Sequence, residues 1–186
     1  VRLLSCGRPM AELHVFGQIL GARGFDGSNL FCKWKLIFGD GWTLVEGCKE
    51  GQTQVDRHRW EEDRAVWSHP IDVHLTTRGI QDWPRLVLEV WRQDAYGRSD
   101  LSGYASCHLP SSPGRHLLQC AAWRPLGSLS EETSRHFLGG SLRLADPDAA
   151  CGQPCDRFRL RAQSCGTVHL DVYVVQRDFD KYGIET

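Results

Sequence analysis

Hydrophobic and polar residues alternate along much of this chain with a period of two, the repeat of a β-strand with one face buried. The clearest case runs from Leu30 to Phe38. There Leu30, Cys32, Trp34, Leu36 and Phe38 share one parity, while Lys33 and Lys35 take the other. The same pattern, with β-branched and aromatic enrichment, predicts strands over Glu12 to Gly21, Trp42 to Glu46, Val66 to Thr76 and Arg85 to Trp91. It also predicts strands over Gly103 to Leu109, Arg115 to Cys120 and Val168 to Val174. In the last of these, Val168, Leu170, Val172 and Val174 point inward. Gly39-Asp-Gly41 reads as a hairpin signal. Asp56 to Arg64 reads as a charged loop, and Pro70 places its strand on an edge or at a bend.

One helix is expected over Ser130 to Gly139, with a serine N-cap, early acidic residues and a glycine stop. Gly140 to Ser164 follows as a long loop inserted before the last strand. About eight strands separated by turns predict an all-β fold, an antiparallel β-sandwich. Trp34, Trp67, Trp91 and Trp123 belong in its interior. Trp42, Trp60 and Trp83 have turn-like settings and are expected as surface anchors.

Composition narrows the function. With 186 residues, one domain is the default, and a chain of this length can bury a sizeable core. That domain is expected over 10–183, with residues 1–9 ahead of Met10 as a leader outside the fold and 184–186 as a short tail. The net charge of -1 argues against a broad grip on nucleic acid. No apolar run approaches the roughly eighteen residues that cross a bilayer as a helix. Any membrane contact is therefore expected to be peripheral. Cys32, Cys48, Cys107 and Cys120 lie singly in or beside strands, where reduced cysteine acts as a small buried hydrophobe. A reduced, cytoplasmic setting follows as the expectation.

The candidate chemistry lies after Val90-Trp91. Spaced Asp94 and Asp100 there resemble the third loop of a C2-type sandwich, in which such aspartates bind calcium. This chain has Arg92 where the first loop aspartate would stand. Matching its first loop to the same pattern puts Arg23 and Asn29 at two further aspartate positions. Calcium requires several oxygen ligands, so Asp26, Asp94 and Asp100 are too few, and the aspartates are expected to cap turns and pair with Arg92 or Arg98. Arg23, Phe25, Arg92, Tyr96 and Arg98 instead suggest a loop end that touches a partner or anionic lipid without calcium.

Other chemistry has less support. Cys151, Cys155, Cys165 and His169 imitate a zinc set, but four strand steps part the last two by roughly 13 Å, too far for one tetrahedral ion. There is no nucleophile elbow, His-Glu-x-x-His pair or phosphate loop. A non-enzymatic protein without a cofactor or resident metal is expected.

Several phrases in order resemble the B9-domain family of ciliary transition-zone proteins. They include His14-Val-Phe-Gly-Gln-Ile-Leu-Gly21, Trp67-Ser-His-Pro-Ile-Asp72, Gly79-Ile-Gln-Asp-Trp-Pro-Arg-Leu86, Trp123-Arg-Pro-Leu-Gly127 and Phe179-Asp-Lys-Tyr-Gly183. The resemblance covers roughly Met10 to Gly183 and departs over Leu142 to Ser164. It implies a C2-like fold and a non-enzymatic role in a Meckel-type complex at the ciliary base, which gates membrane-protein traffic and supports cilium assembly. The implied partners are other B9-domain proteins and further members of that complex.

Overall fold

The computed structural model describes residues 10–57, 63–127, 143–144 and 161–180. Among them run nine strands: β1 Ala11–Arg23, β2 Leu30–Ile37, β3 Trp42–Gly47, β4 Glu50–Gln52, β5 Arg64–Thr77, β6 Arg85–Gln93, β7 Ser99–His108, β8 Gly114–Pro125 and β9 Ala162–Arg177. All neighbouring pairs are antiparallel, in the order β3-β5-β1-β9-β8-β7-β6-β2-β4. The expected all-β sandwich is thus present. β3 and β4 sit at opposite ends of that order, yet only Cys48 and Lys49 separate them in the chain. The sheet must therefore curl back on itself. At the opposite seam β7 and β8 meet only at Tyr104–Trp123 and Ala105–Ala122.

Curling creates two layers with the core between them. Leu13, Val15, Ile19, Trp67, Val73 and Leu75 enter it from one layer, with Val168, Leu170, Val172 and Val174 on the expected parity of β9. Leu30, Cys32, Trp34, Leu36, Leu88 and Val90 enter from the other. Trp67 is 2% exposed, and its Nε1 donates across the core to the Leu30 carbonyl at 3.0 Å. Pro70 lies opposite Gln18 of β1, beyond the reach of β3, which ends against Val73. β5 is one-sided there, so the missing amide hydrogen costs no ladder bond.

Several expectations are corrected. β4, three residues long, carries no readable period, and β9 begins six residues before Val168. Gly39-Asp-Gly41 does form a turn, with Trp42 N donating to Gly39 O at 3.0 Å, but β2 and β3 do not pair. The turn crosses between layers and is no hairpin. Trp42 is buried at 4%, and its ring meets half-buried Trp83 edge-on at 5.1 Å, so neither is a free surface anchor. Indole donors explain the placement: Trp42 Nε1 finds Gln81 O at 3.1 Å and Trp83 Nε1 finds Leu109 O at 2.8 Å. Trp91 is buried outside the interior, in a second cluster with Phe31, Val87, Leu101 and Tyr104, against which half-buried Trp123 packs. Cys48 is exposed, whereas Cys32 and Cys120 are buried. Burial raises the Cys32 thiol, and the hydrogen bond with Cys107, then burial, raises that of Cys120, keeping both protonated. The helix expected over Ser130 to Gly139, Trp60, and most of the long loop fall outside the described residues.

Candidate functional site

The loop end singled out by sequence is built by the ends of β1, β2, β6 and β7. Asn29 takes a left-handed backbone (φ 61°), which asparagine tolerates better than most residues. It exchanges bonds with Gln93: Gln93 N donates to Asn29 O at 2.9 Å, and Asn29 Nδ2 donates to Gln93 O at 3.3 Å. The first and third loops are joined through that pair. Arg92 lies opposite Leu30 on one side and Asp100 on the other. Its Cδ would lie 2.9 Å from a Cβ added at Gly27. A cationic side chain thus packs over the first loop, where a calcium ion would need carboxylates instead.

Asp94 is committed to its own turn. Its Oδ1 accepts from Tyr96 N at 2.9 Å and Arg98 N at 2.8 Å, and its Oδ2 accepts from Arg98 Nε at 2.7 Å. The bond from Arg98 is the main cause holding the Asp94 carboxyl below its usual range. A depressed carboxylate pKa stabilises the fold above the unfolded-state value, and that contribution disappears as pH falls through the folded-state value. We expect Asp94→Asn to lower the melting temperature at pH 7 and the difference to vanish in acid. Melting curves stepped downward from pH 7 check this: the difference shrinks as pH falls, and a pH-independent difference contradicts it.

The remaining loop residues divide. Tyr96 is 87% exposed and lies beneath the Arg98 guanidinium at 5.7 Å. Arg23 is exposed at the end of β1, opposite Arg64. Phe25 is not available to a membrane or a partner: it is buried at 7% within the main core. Its ring lies 2.6 Å from a Cβ added at Gly166 and 3.5 Å from one added at Gly103, so it fills the space those glycines leave. Arg23, Arg64, Arg92 and Arg98 at this end are interspersed with Asp26, Asp63, Asp94 and Asp100, and Arg143 reaches it by donating to Ser99 O at 3.4 Å.

For the zinc pattern, Cys151 and Cys155 lie outside the described residues, while Cys165 and His169 both lie on β9. Burial pushes the Cys165 thiol up to about 11, away from the thiolate that binds metal. Burial, with Arg23 and Arg64, lowers the pKa of half-buried His169. Among the described residues no three His, Cys, Asp or Glu side chains gather as a metal set.

A second surface escaped the sequence analysis. On the outer face of β5-β1-β9-β8, Asp72, Phe16, Tyr173 and Arg115 stand side by side in cross-strand register. Phe16 and Tyr173 stack almost parallel, 5.4 Å apart and inclined by 6°. Arg115 lies 5.7 Å over Tyr173 and is clamped by Asp171, with Nε to Oδ1 at 2.9 Å and Nη2 to Oδ2 at 2.7 Å. One row away His14 lies opposite His74 and Val175 and bonds Asp72 at 2.7 Å. Leu117 and Val175 are 67% and 52% exposed. The parity of Tyr173 and Val175, opposite to the inward valines of β9, was the available signal.

The nine-stranded sandwich matches the family described as ciliary basal body-associated, B9 protein, over residues 13–175, and the chain belongs to that family. Cow B9 domain-containing protein 2 is 54% identical over 95% of this chain and 99% of its own length. The human protein of that name is 52% identical with the same coverage. B9 domain-containing protein 1 of Xenopus laevis is 30% identical over 98% of this chain and 93% of its own. Among solved structures, a C2 domain of plant extended synaptotagmin 1 aligns with a TM-score of 0.45 and 13% identity, covering 90% of this chain and 96% of that domain. The names of the family and of these B9 relatives denote no catalytic activity.

Proposed function

We propose that this chain is a non-enzymatic scaffold subunit of a Meckel-type, tectonic-like complex at the ciliary transition zone. There it supports cilium assembly and the membrane-protein diffusion barrier by binding other B9-domain proteins and larger members of the complex. The observation that carries this reading is the family match, which runs from β1 to β9 and so takes in the whole sandwich. Two features of the molecule agree with it. Asp94 of the third loop engages Arg98 and neighbouring backbone groups, and rigid aromatic and arginine groups occupy a solvent-facing sheet surface. Tyr and Arg are the residue types that concentrate binding energy at protein interfaces.

A second reading is a calcium-independent lipid-binding module in membrane traffic. It draws on Tyr96, 87% exposed beside Arg98, with Arg23 and Arg92 at the same end. The aspartates Asp26, Asp63, Asp94 and Asp100 interleaved there weaken it, since anionic lipid attracts a surplus of basic residues. Binding of the purified chain to purified B9 domain-containing protein 1, and to phosphatidylserine vesicles without calcium, separates the two. The scaffold reading expects saturable protein binding and little vesicle binding. Vesicle binding alone, lost when Tyr96 and Arg98 become alanine, supports the second reading instead.

A further inference from the structure

We infer that the outer face of β5-β1-β9-β8 is the surface through which this chain docks a partner protein, and that the partner presents an apolar centre with a basic rim. In the scaffold reading, on which this inference rests, that partner is another B9 sandwich. Side chains on the solvent side of an antiparallel sheet are ordinarily polar. Here Phe16, Tyr173, Val175 and Leu117 instead place apolar surface on neighbouring strands. Such a contiguous patch, rimmed by polar groups, marks an interaction surface.

The face is already ordered before anything binds. Strand register holds the Phe16–Tyr173 stack, and the two-bond clamp from Asp171 fixes Arg115. Asp171 is itself only 8% exposed, so the clamp is set in the sheet and is not a loose surface pair. Groups held in their binding geometry lose little conformational entropy on association.

Charge selects the occupant. Around the Phe16–Tyr173 stack the face carries four carboxylates, Glu12, Glu46, Asp72 and Asp171, against two guanidinium groups, Arg115 and Arg177, while Arg23 and Arg64 sit on the same face at its far, loop end. The clamp neutralises Arg115 with Asp171, and Arg177 lies 3.7 Å from Glu12. Asp72, with a side chain 74% exposed, and exposed Glu46 then leave the β3–β5 side acidic. An anionic bilayer is repelled by such a surface, whereas a protein face with a basic rim is attracted. Phe16 and Tyr173 are each only 38% exposed, forming a level platform rather than protruding residues that would insert into lipid.

The test uses the full chain and three variants: Leu117→Ser in the apolar patch, Asp72→Arg on the acidic rim, and Tyr96→Ser at the loop end as a control. Leu117 and Asp72 are exposed, so both substitutions are expected to leave the melting temperature within a few degrees of the unaltered chain. Affinity for purified B9 domain-containing protein 1 is expected to fall about tenfold or more in Leu117→Ser and in Asp72→Arg, with no change in Tyr96→Ser. If the unaltered chain binds and both face variants bind equally well, the docking face lies elsewhere and the scaffold reading stands. If the unaltered chain fails to bind, the scaffold reading and this inference fall together. If Leu117→Ser loses phosphatidylserine-vesicle binding while retaining the protein, and Asp72→Arg strengthens vesicle binding, the face is a lipid surface and the inference is overturned.

Discussion

Trp67→Ala is expected to lower the stability of this protein by about 3–5 kcal/mol, the range for truncating a large buried aromatic. Trp67 is 2% exposed and spans the core from β5, so its removal leaves a cavity between the two layers. Its indole also donates to the Leu30 carbonyl at 3.0 Å, a bond made between layers. That carbonyl keeps a second donor, Asp56 N at 2.8 Å, so it is not orphaned by the substitution. Trp67→Phe separates the two contributions. It retains most of the packing and loses the cross-layer bond, worth about 1 kcal/mol. Urea denaturation read by far-UV circular dichroism checks both values. A loss below about 1 kcal/mol in Trp67→Ala would mean that the layers do not meet through this ring.

Phe25→Ala is expected to cost a similar amount, about 3–5 kcal/mol, and here fold and loop readings part. A solvent-facing loop phenylalanine would change stability by at most about 0.5 kcal/mol. The ring instead packs into the space left by Gly103 of β7 and Gly166 of β9, close to where β7 and β8 barely pair. An added Cβ at Gly103 would overlap the Cys165 sulfur, so neither this glycine nor its neighbours have room to spare. Phe25 thus adds packing beside a seam with few ladder bonds. The same denaturation experiment decides the matter, and an unchanged midpoint would return Phe25 to the surface.

The contrast shows what the sequence could reveal. The parity of Leu30, Cys32, Trp34 and Leu36, and of Val168 to Val174, was legible because one face of each strand packs into a continuous core. Phe25 was misread because its burial comes from two glycines, 78 and 141 residues further along the chain, and no local period records such a meeting. Trp91 sits on a strand with apolar residues on both faces, where alternation carries no sign of which side is inside. Asp94 was legible, since an aspartate two residues before a tyrosine amide and four before an arginine has local partners to cap. The aromatic row failed for a different reason. Phe16 and Tyr173 lie 157 residues apart, and only the pairing of β1 with β9 brings them together.

A scaffold role at the ciliary transition zone is read out by imaging the fluorescently tagged full chain in ciliated cells beside axoneme and basal-body markers. A transition-zone scaffold gives a compact ring or spot between the two markers. A diffuse or general membrane signal in correctly ciliated cells would contradict it.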